Sequence, residues 1–239
     1  MSTSLFAEAP FAARAFLRLR SFFTPYEFLA SAFPAEGRIL DLGSGHGLLA
    51  LTLSTGSGGH EVIGIDHDPE RVRLSEAAAR KLPPSSRPRF EVGDLRVSLG
   101  SFASGSLAGV AMIDILHYFD AATQQSLISD AARAIAPGGV LVMREIDADA
   151  GIKAAVNRLY ERLATGVGFT RAAPNPDTTS RLSQPPAFAR SMLSFGAELA
   201  FRGMREWTSL LEDAGFSVRS QPCGPPFLAD VLFVGQRVL

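Results

Sequence analysis

From Arg38 onward, short apolar runs alternate with amphipathic stretches at a regular spacing. The apolar runs predict strands, and the stretches between them predict helices. The predicted strands are Arg38–Leu42, Glu61–Asp66, Arg87–Val92, Ala108–Ile113 and Val140–Glu145. The predicted helices are Gly47–Thr55, Pro69–Lys81 and Ala121–Ile135, with Asp68 and Asp120 as N-caps. Such an alternation predicts an α/β fold in which helices cover both faces of a parallel sheet.

Segments on either side of this core complete the predicted architecture. Residues 1–36 are rich in phenylalanine, and the capping box Thr24–Glu27 predicts a helix that runs to about Phe33. A helix over about Met204–Asp213 and strands at Phe216–Ser220 and Val231–Arg237 close the sheet. We therefore expect a doubly wound, mostly parallel seven-stranded sheet. The expected units are an N-terminal helical cap (1–36), a core (37–146), an insert after the fifth strand (147–203) and a closing helix with a strand pair (204–239).

The predicted insert contains a long stretch without periodicity. Gly166–Pro186 is rich in Pro, Ser, Thr and Gly. A stretch of this length inside a compact domain is usually functional or mobile. We therefore predict that the insert acts as a lid.

Composition and charge exclude several classes of protein. Hydrophobic residues make up 46% of the 239 residues and charged residues 20%, which is typical of a globular chain. The net charge of -1 provides no general basic field, so nucleic acid is not an expected partner. Cys223 is the single cysteine, which excludes a disulfide framework and a thiolate metal cage. Charged residues such as Glu8 and Arg14 interrupt the apolar N-terminus, so we expect no membrane span and a cytoplasmic protein.

The clearest chemical motif is the glycine-rich turn from Asp41 to Gly47, between the first predicted strand and the first predicted helix. Glycines allow a sharp turn and a close approach of the backbone to a ligand, and the helix N-terminus offers N–H groups to an anionic group. A dinucleotide fingerprint would need glycine where Leu48 stands. Asp41 would repel a pyrophosphate but suits a ligand with a cationic amine, such as S-adenosylmethionine.

Two further acids follow successive predicted strands. Asp66 ends the second strand, which is where an acidic side chain commonly binds ribose hydroxyls. Asp94 follows the third strand and could accept a hydrogen bond from an adenine amino group. Three such features in this order predict a nucleoside-binding edge of the sheet.

Together these residues resemble the Rossmann-fold S-adenosylmethionine-dependent methyltransferases of class I, over about residues 36–146 and the closing elements. The resemblance implies that the glycine loop holds the methionine end of the cofactor, Asp66 the ribose and Asp94 the adenine. The stretch Asp114–Tyr118 is also similar to the family's turn after the fourth strand, whereas Ala108-Gly109 stands where the family often has an acidic residue. The implied cofactor-binding residues are Asp41, Gly43, Ser44, Gly45, Gly47, Asp66, His67, Asp94, Leu95 and Asp114.

Two residues after the fourth and fifth strands are candidate catalytic groups. His117 lies where ligands bind at the carboxyl edge of such a sheet and could act as a general base; otherwise it packs or caps a turn. Glu145 is the alternative polar group. Neighbouring acids such as Asp114 and Asp149 leave a divalent metal as an option, but we predict none.

These features predict an enzyme that methylates an oxygen, carbon or nitrogen of a small, fairly apolar metabolite, as in natural-product biosynthesis. The alternatives are an RNA or carrier-bound acceptor, and a relative that binds the cofactor without catalysis. The segment Phe11–Phe23, with three arginines, leaves contact with a membrane surface open as well. A homodimer is also an open option.

Overall fold

The sheet has seven strands in the order β3-β2-β1-β4-β5-β7-β6 in the computed structural model, which describes residues 3–56, 58–155, 157 and 199–238. The strands are β1 (Glu36–Leu42), β2 (Gly59–Asp66), β3 (Arg89–Val92), β4 (Leu107–Ile113), β5 (Ile135–Ile146), β6 (Phe216–Pro222) and β7 (Asp230–Arg237). β7 runs antiparallel to both of its neighbours, and the other pairs are parallel. The prediction of a doubly wound, mostly parallel α/β sheet is confirmed.

Helices cover both faces of this sheet. They are α1 (Phe11–Phe23), α2 (Tyr26–Ala30), α3 (Leu48–Thr55), α4 (Pro69–Ala79), α5 (Leu95–Ser98), α6 (Ala121–Ala134) and α7 (Met204–Asp213). Short 3-10 turns stand at Thr3–Phe6, Pro84–Ser86, Leu99–Ser101 and Leu116–Tyr118. The predicted N-caps form, since Asp68 accepts from the N–H of Glu70 and Asp120 from that of Thr123.

The apolar core divides into two layers, one against each face of the sheet. Helices α5, α6 and α7 pack one layer, in which Trp207 and Leu127 are buried. Helices α1 to α4 pack the other, and the N-terminal cap joins it through Leu17 and Leu29, which have no exposed surface. Because both faces are covered, β4 at the centre of the sheet is apolar along its whole length.

Two local predictions are wrong. The capping box at Thr24 does not form: the N–H of Thr24 bonds to the Arg20 carbonyl and closes α1, and the short α2 begins after Pro25 without a side-chain cap. The fifth strand, predicted at Val140–Glu145, begins instead at Ile135, because α6 runs directly into it and Pro137-Gly138-Gly139 lies inside β5. Gly138 takes a φ of 80° there, and the pairing with β4 shifts register between Leu107 and Gly109.

Most of the predicted insert, including the lid segment Gly166–Pro186, lies outside the described residues. Where the chain is described again, the Ala200 N–H bonds to the carbonyl of His117, and Gly203 is the N-cap of α7. The division of the chain into four units stays a prediction. In the described part of the chain, no helix is long and apolar enough to cross a membrane.

Candidate active site

A cleft opens at the carboxyl ends of β1, β2 and β4. The glycine loop forms its floor, and helix α1 of the N-terminal cap forms one wall. Of the predicted cofactor residues, the cleft is lined by Asp41, Gly43, Ser44, Gly45, Asp66, His67, Leu95 and Asp114. The carboxyl ends of the strands therefore bring together residues that are far apart in sequence, as the predicted fold requires.

The glycine loop adopts a backbone that only glycine accepts easily. Gly43, Gly45 and Gly47 have φ values of 75°, 55° and 73°. A Cβ on Gly47 would stand 2.5 Å from the Phe90 ring, so this glycine is required by packing. A Cβ on Gly45 would meet nothing within 4 Å, so Gly45 faces open space in the cleft. Gly45 is therefore the point at which a ligand can approach the backbone.

Asp41 is a buried acid with an oxygen that makes no hydrogen bond. Its Oδ2 and the hydroxyl of Ser44 are buried and lack a partner among the described residues. Burial raises the pKa of Asp41 to about 7, although a hydrogen bond from the Ala50 N–H opposes that rise. A buried acceptor without a donor is costly unless a ligand supplies one. The arrangement fits the cationic amine predicted for this position.

Asp66 shapes the loop as well as lining the cleft. Its Oδ2 accepts from the N–H of Gly45 at 2.8 Å, and its Oδ1 accepts from the N–H of Asp68 at 2.9 Å. His67 and Arg71 lie beside it at 3.6 and 4.0 Å. Because each carboxylate oxygen has a second lone pair, these bonds leave capacity for ribose hydroxyls.

Asp94 departs from the predicted arrangement. Its carboxylate caps α5 through the Arg96 N–H and is held by the Arg96 guanidinium at 2.6 Å, which lowers the pKa of Asp94. Asp94 does not line the cleft, whereas the adjacent Leu95 does. Leu95 can therefore pack against an adenine, while the role predicted for the Asp94 carboxylate would need its release from Arg96.

Asp114 stands at the centre of a buried ionic cluster. It has a φ of 54° and bonds to the Arg144 guanidinium at 2.5 and 2.7 Å and to that of Arg20 at 2.6 Å. Arg144 also pairs with Asp230 at 2.7 Å. Burial alone would raise the pKa of Asp114, but the charges of Arg144 and Arg20 outweigh it and lower that pKa. The cluster ties the cap to the sheet and keeps Arg20 at the cleft.

The two predicted catalytic residues are not in the lining of the cleft. His117 and Glu145 are buried, and the His117 Nδ1 lies 2.7 Å from the Glu145 Oε2. The other oxygen of Glu145 accepts from the N–H groups of Ile115 and Leu116. The 3-10 turn at Leu116–Tyr118 directs the His117 ring toward Glu145 on β5. The ring also stacks on Phe201, which lies shortly before α7. Among the described residues this pair holds the turn after β4, and the catalytic role of both residues stays a prediction.

Several lining residues were not among the predicted site residues. Phe16, Arg20 and Tyr26 come from the cap, before the first strand. Burial raises the pKa of Tyr26, so its phenol is a hydrogen-bond donor at neutral pH. Burial also lowers the pKa of His46 to about 4, so this ring is neutral there. The sequence predicts an N-terminal helical cap that is rich in phenylalanine, but no local spacing identifies which of its side chains face the cleft.

In the part of the chain that the structure describes, no group of three or more His, Cys, Asp or Glu side chains could hold a metal ion. Asp114 and Glu145, two of the acids at the strand ends, are instead paired with arginines or backbone N–H groups.

Comparison with known proteins finds a family model that matches part of the chain. Residues 39–139 match the model of the methyltransferase domain family. No curated protein matches the sequence.

Solved structures share the fold. A protein from Methanosarcina mazei described as a SAM-dependent methyltransferase is 23% identical with a TM-score of 0.60, over 89% of this chain and 97% of that one. An O-methyltransferase family protein from Burkholderia thailandensis is 20% identical with a TM-score of 0.62, and the match covers 94% of this chain but only 57% of that protein. The [4+2]-cyclase SpnF is 15% identical with a TM-score of 0.62, over 90% and 81% of the two chains. At these identities the likeness shows the fold alone.

Proposed function

We propose that this chain, which has the fold and the matched domain of a class I Rossmann-like methyltransferase, transfers the methyl group of S-adenosylmethionine to a small, fairly apolar acceptor. The observation that carries the proposal is the pair of unpartnered buried oxygens, Asp41 Oδ2 and Ser44 Oγ, beside the open space at Gly45. A cleft lined in this way fits a ligand that supplies hydrogen-bond donors.

The residues present fit the cofactor. Asp41 and Ser44 would accept from its amine, and Asp66 from its ribose hydroxyls. Arg20 would face its carboxylate, since its side chain lines the same cleft as the glycine loop. Leu95 and Ile115 would pack on its apolar surface. When bound, the cofactor supplies an activated methyl group on a sulfonium.

The remaining work of the chain is to position the acceptor and exclude water. Beside the residues assigned to the cofactor, the described lining includes the apolar side chains of Phe16, Leu17, Ile113 and Phe119. An apolar lining favours a small apolar acceptor over the charged backbone of a nucleic acid. Tyr26 and Tyr118 offer polar groups that can orient it. His46 is a weak base because its pKa is about 4, so we assign catalysis to alignment and desolvation.

The test is transfer of labelled methyl from S-adenosylmethionine, with extracted small metabolites, total RNA and carrier proteins as separate acceptor pools. We expect label in one or a few apolar metabolites, and about ten- to a hundredfold less with the Asp41→Asn variant at a cofactor concentration below saturation. Label in RNA or a carrier protein would refute the acceptor class. Binding of the cofactor with no transfer to any pool would favour a relative that does not methylate; the cyclase SpnF is an example of another activity on this fold.

A further inference from the structure

Helix α1 turns its more apolar side to the solvent. Phe11, Ala15, Leu19 and Phe22 follow one another at helical spacing and form what we call the outer face of α1. Phe11 is 78% exposed, Phe22 71% and Leu19 48%. A solvent-facing helix normally shows charged residues on that side, so an apolar outer face indicates that another surface covers it.

The charges beside this face have one sign. Arg14 and Arg18 are exposed along one flank of the outer face, and Phe11–Phe23 contains no acidic residue. Neither arginine makes an ion pair with a described residue. Glu8, the nearest acid before the helix, pairs with Lys81 at 3.4 Å. An apolar face with an arginine flank is complementary to an anionic lipid surface, in which phenylalanines enter the headgroup boundary and arginines meet phosphates.

The aromatic surface continues beyond α1. Phe23 packs edge-on against Phe22 at 5.3 Å and against Phe227, which lies between β6 and β7, at 6.4 Å. Phe227 is itself exposed. Residues from two separate parts of the chain thus form one continuous aromatic patch. A patch of this kind is more complementary to a broad, flat surface than to a small ligand.

The opposite side of α1 faces the cleft through Phe16, Leu17 and Arg20. We propose that the outer face of α1 docks the protein on an anionic membrane surface and brings the mouth of the cleft to an acceptor dissolved in the bilayer. A second copy of the chain is a poorer occupant, because a twofold contact centred on this face would bring arginines of both copies together. The docking does not depend on methyl transfer, so it can succeed or fail separately from the proposed function.

The test is flotation of the full chain with vesicles of phosphatidylcholine alone and of phosphatidylcholine with phosphatidylglycerol. We expect binding to the anionic vesicles only, weakened by salt. Replacing both arginines (Arg14→Gln with Arg18→Gln) should weaken binding roughly ten- to thirtyfold. Replacing both phenylalanines (Phe11→Ser with Phe22→Ser) should weaken it by roughly tenfold or more.

Matched controls lie elsewhere on the surface. Ile152→Ser removes an apolar side chain that is 85% exposed, and Arg205→Gln with Arg219→Gln removes two exposed arginines. These variants should bind within about twofold of the wild type, and all variants should keep its thermal midpoint. Three results would overturn the proposal: no binding to anionic vesicles, equal binding to neutral ones, or a dimer in sedimentation that the phenylalanine pair dissolves.

Discussion

Replacing the buried carboxyl of Asp41 by an amide should change the stability of the protein and its affinity for the cofactor in opposite directions. Asp41→Asn keeps the size of the side chain and the oxygen that accepts from the Ala50 N–H. It removes a negative charge that the fold buries without a donor on Oδ2. The ligand-free protein should therefore gain stability, while the cofactor should bind more weakly.

The magnitude follows from the pKa of Asp41. Burial raises that pKa from 3.8 to about 7, a difference of about 3 pH units, and at about 1.4 kcal/mol per unit the ionised carboxyl costs the fold about 4 kcal/mol. The amide group that Asp41→Asn introduces would itself be buried without an acceptor, which costs about 1–3 kcal/mol. We expect a net gain of about 1–3 kcal/mol at pH 8.

The sign of the pH dependence is fixed by the same pKa. Between about pH 4 and pH 7 the folded wild type keeps the Asp41 proton while the unfolded chain releases it, so the free energy of unfolding falls as pH rises. The advantage of Asp41→Asn should grow over this window and stay constant above it. Urea unfolding at a series of pH values measures it, and an advantage that does not change with pH would refute the reasoning.

The same variant should bind S-adenosylmethionine about ten- to a hundredfold more weakly, from the loss of one charge-assisted hydrogen bond. Affinity of the wild type should rise with pH up to about 7, because the ionised Asp41 receives the amine. Methylthioadenosine, which lacks the amine and the carboxylate, should bind both proteins equally and serves as the control ligand. An equal loss for both ligands would show that the substitution disturbs the loop rather than the amine contact.

Three further predictions follow from the site. Gly45→Ala should abolish cofactor binding but cost only about 1 kcal/mol of stability, because its Cβ meets open space. Gly47→Ala should cost at least about 2 kcal/mol, because its Cβ would meet the Phe90 ring. Equal costs of the two variants in urea unfolding would contradict this difference. Asp66→Ala should weaken cofactor binding by about 1–3 kcal/mol in calorimetry, and unchanged affinity would exclude it as a ribose ligand. His117→Ala should lose about 1–3 kcal/mol of stability, because the Glu145 side chain then lacks a buried hydrogen-bond partner, and should leave the cofactor affinity unchanged. A loss of about 100-fold or more in turnover of the folded His117→Ala protein would restore this residue as a general base.

The sheet and the glycine loop were predictable because their signals are local. Apolar runs mark β1, β2 and β4, and the loop Gly43–Gly47 needs glycine for reasons that its own backbone sets. The residues after the strands were harder to place. A sequence locates Asp94 and His117 at strand ends, but not the direction of their side chains. Arg96 two residues later and the 3-10 turn at Leu116–Tyr118 decide those directions.

Contacts between distant segments explain what the sequence could not show. Arg20 reaches the cleft through its pair with Asp114, 94 residues further along the chain. Arg144 joins that pair to Asp230, so four segments must fold before the cluster exists. The residue spacing within the N-terminal helical cap does not indicate which distant residues pair with Arg20. The ion pair with Asp114 therefore brings Arg20 into the lining of the cleft, whereas His117 and Glu145 bond to each other outside that lining.

Direct titration of the purified protein with S-adenosylmethionine, S-adenosylhomocysteine and NADH tests the central claim most directly. We expect calorimetry to detect the first two ligands at one site, and we expect Asp41→Asn to weaken the binding of both, since both carry the amine. We expect no binding of NADH, because Asp41 beside the glycine loop repels a pyrophosphate. Binding of NADH without any response to S-adenosylmethionine would contradict the account.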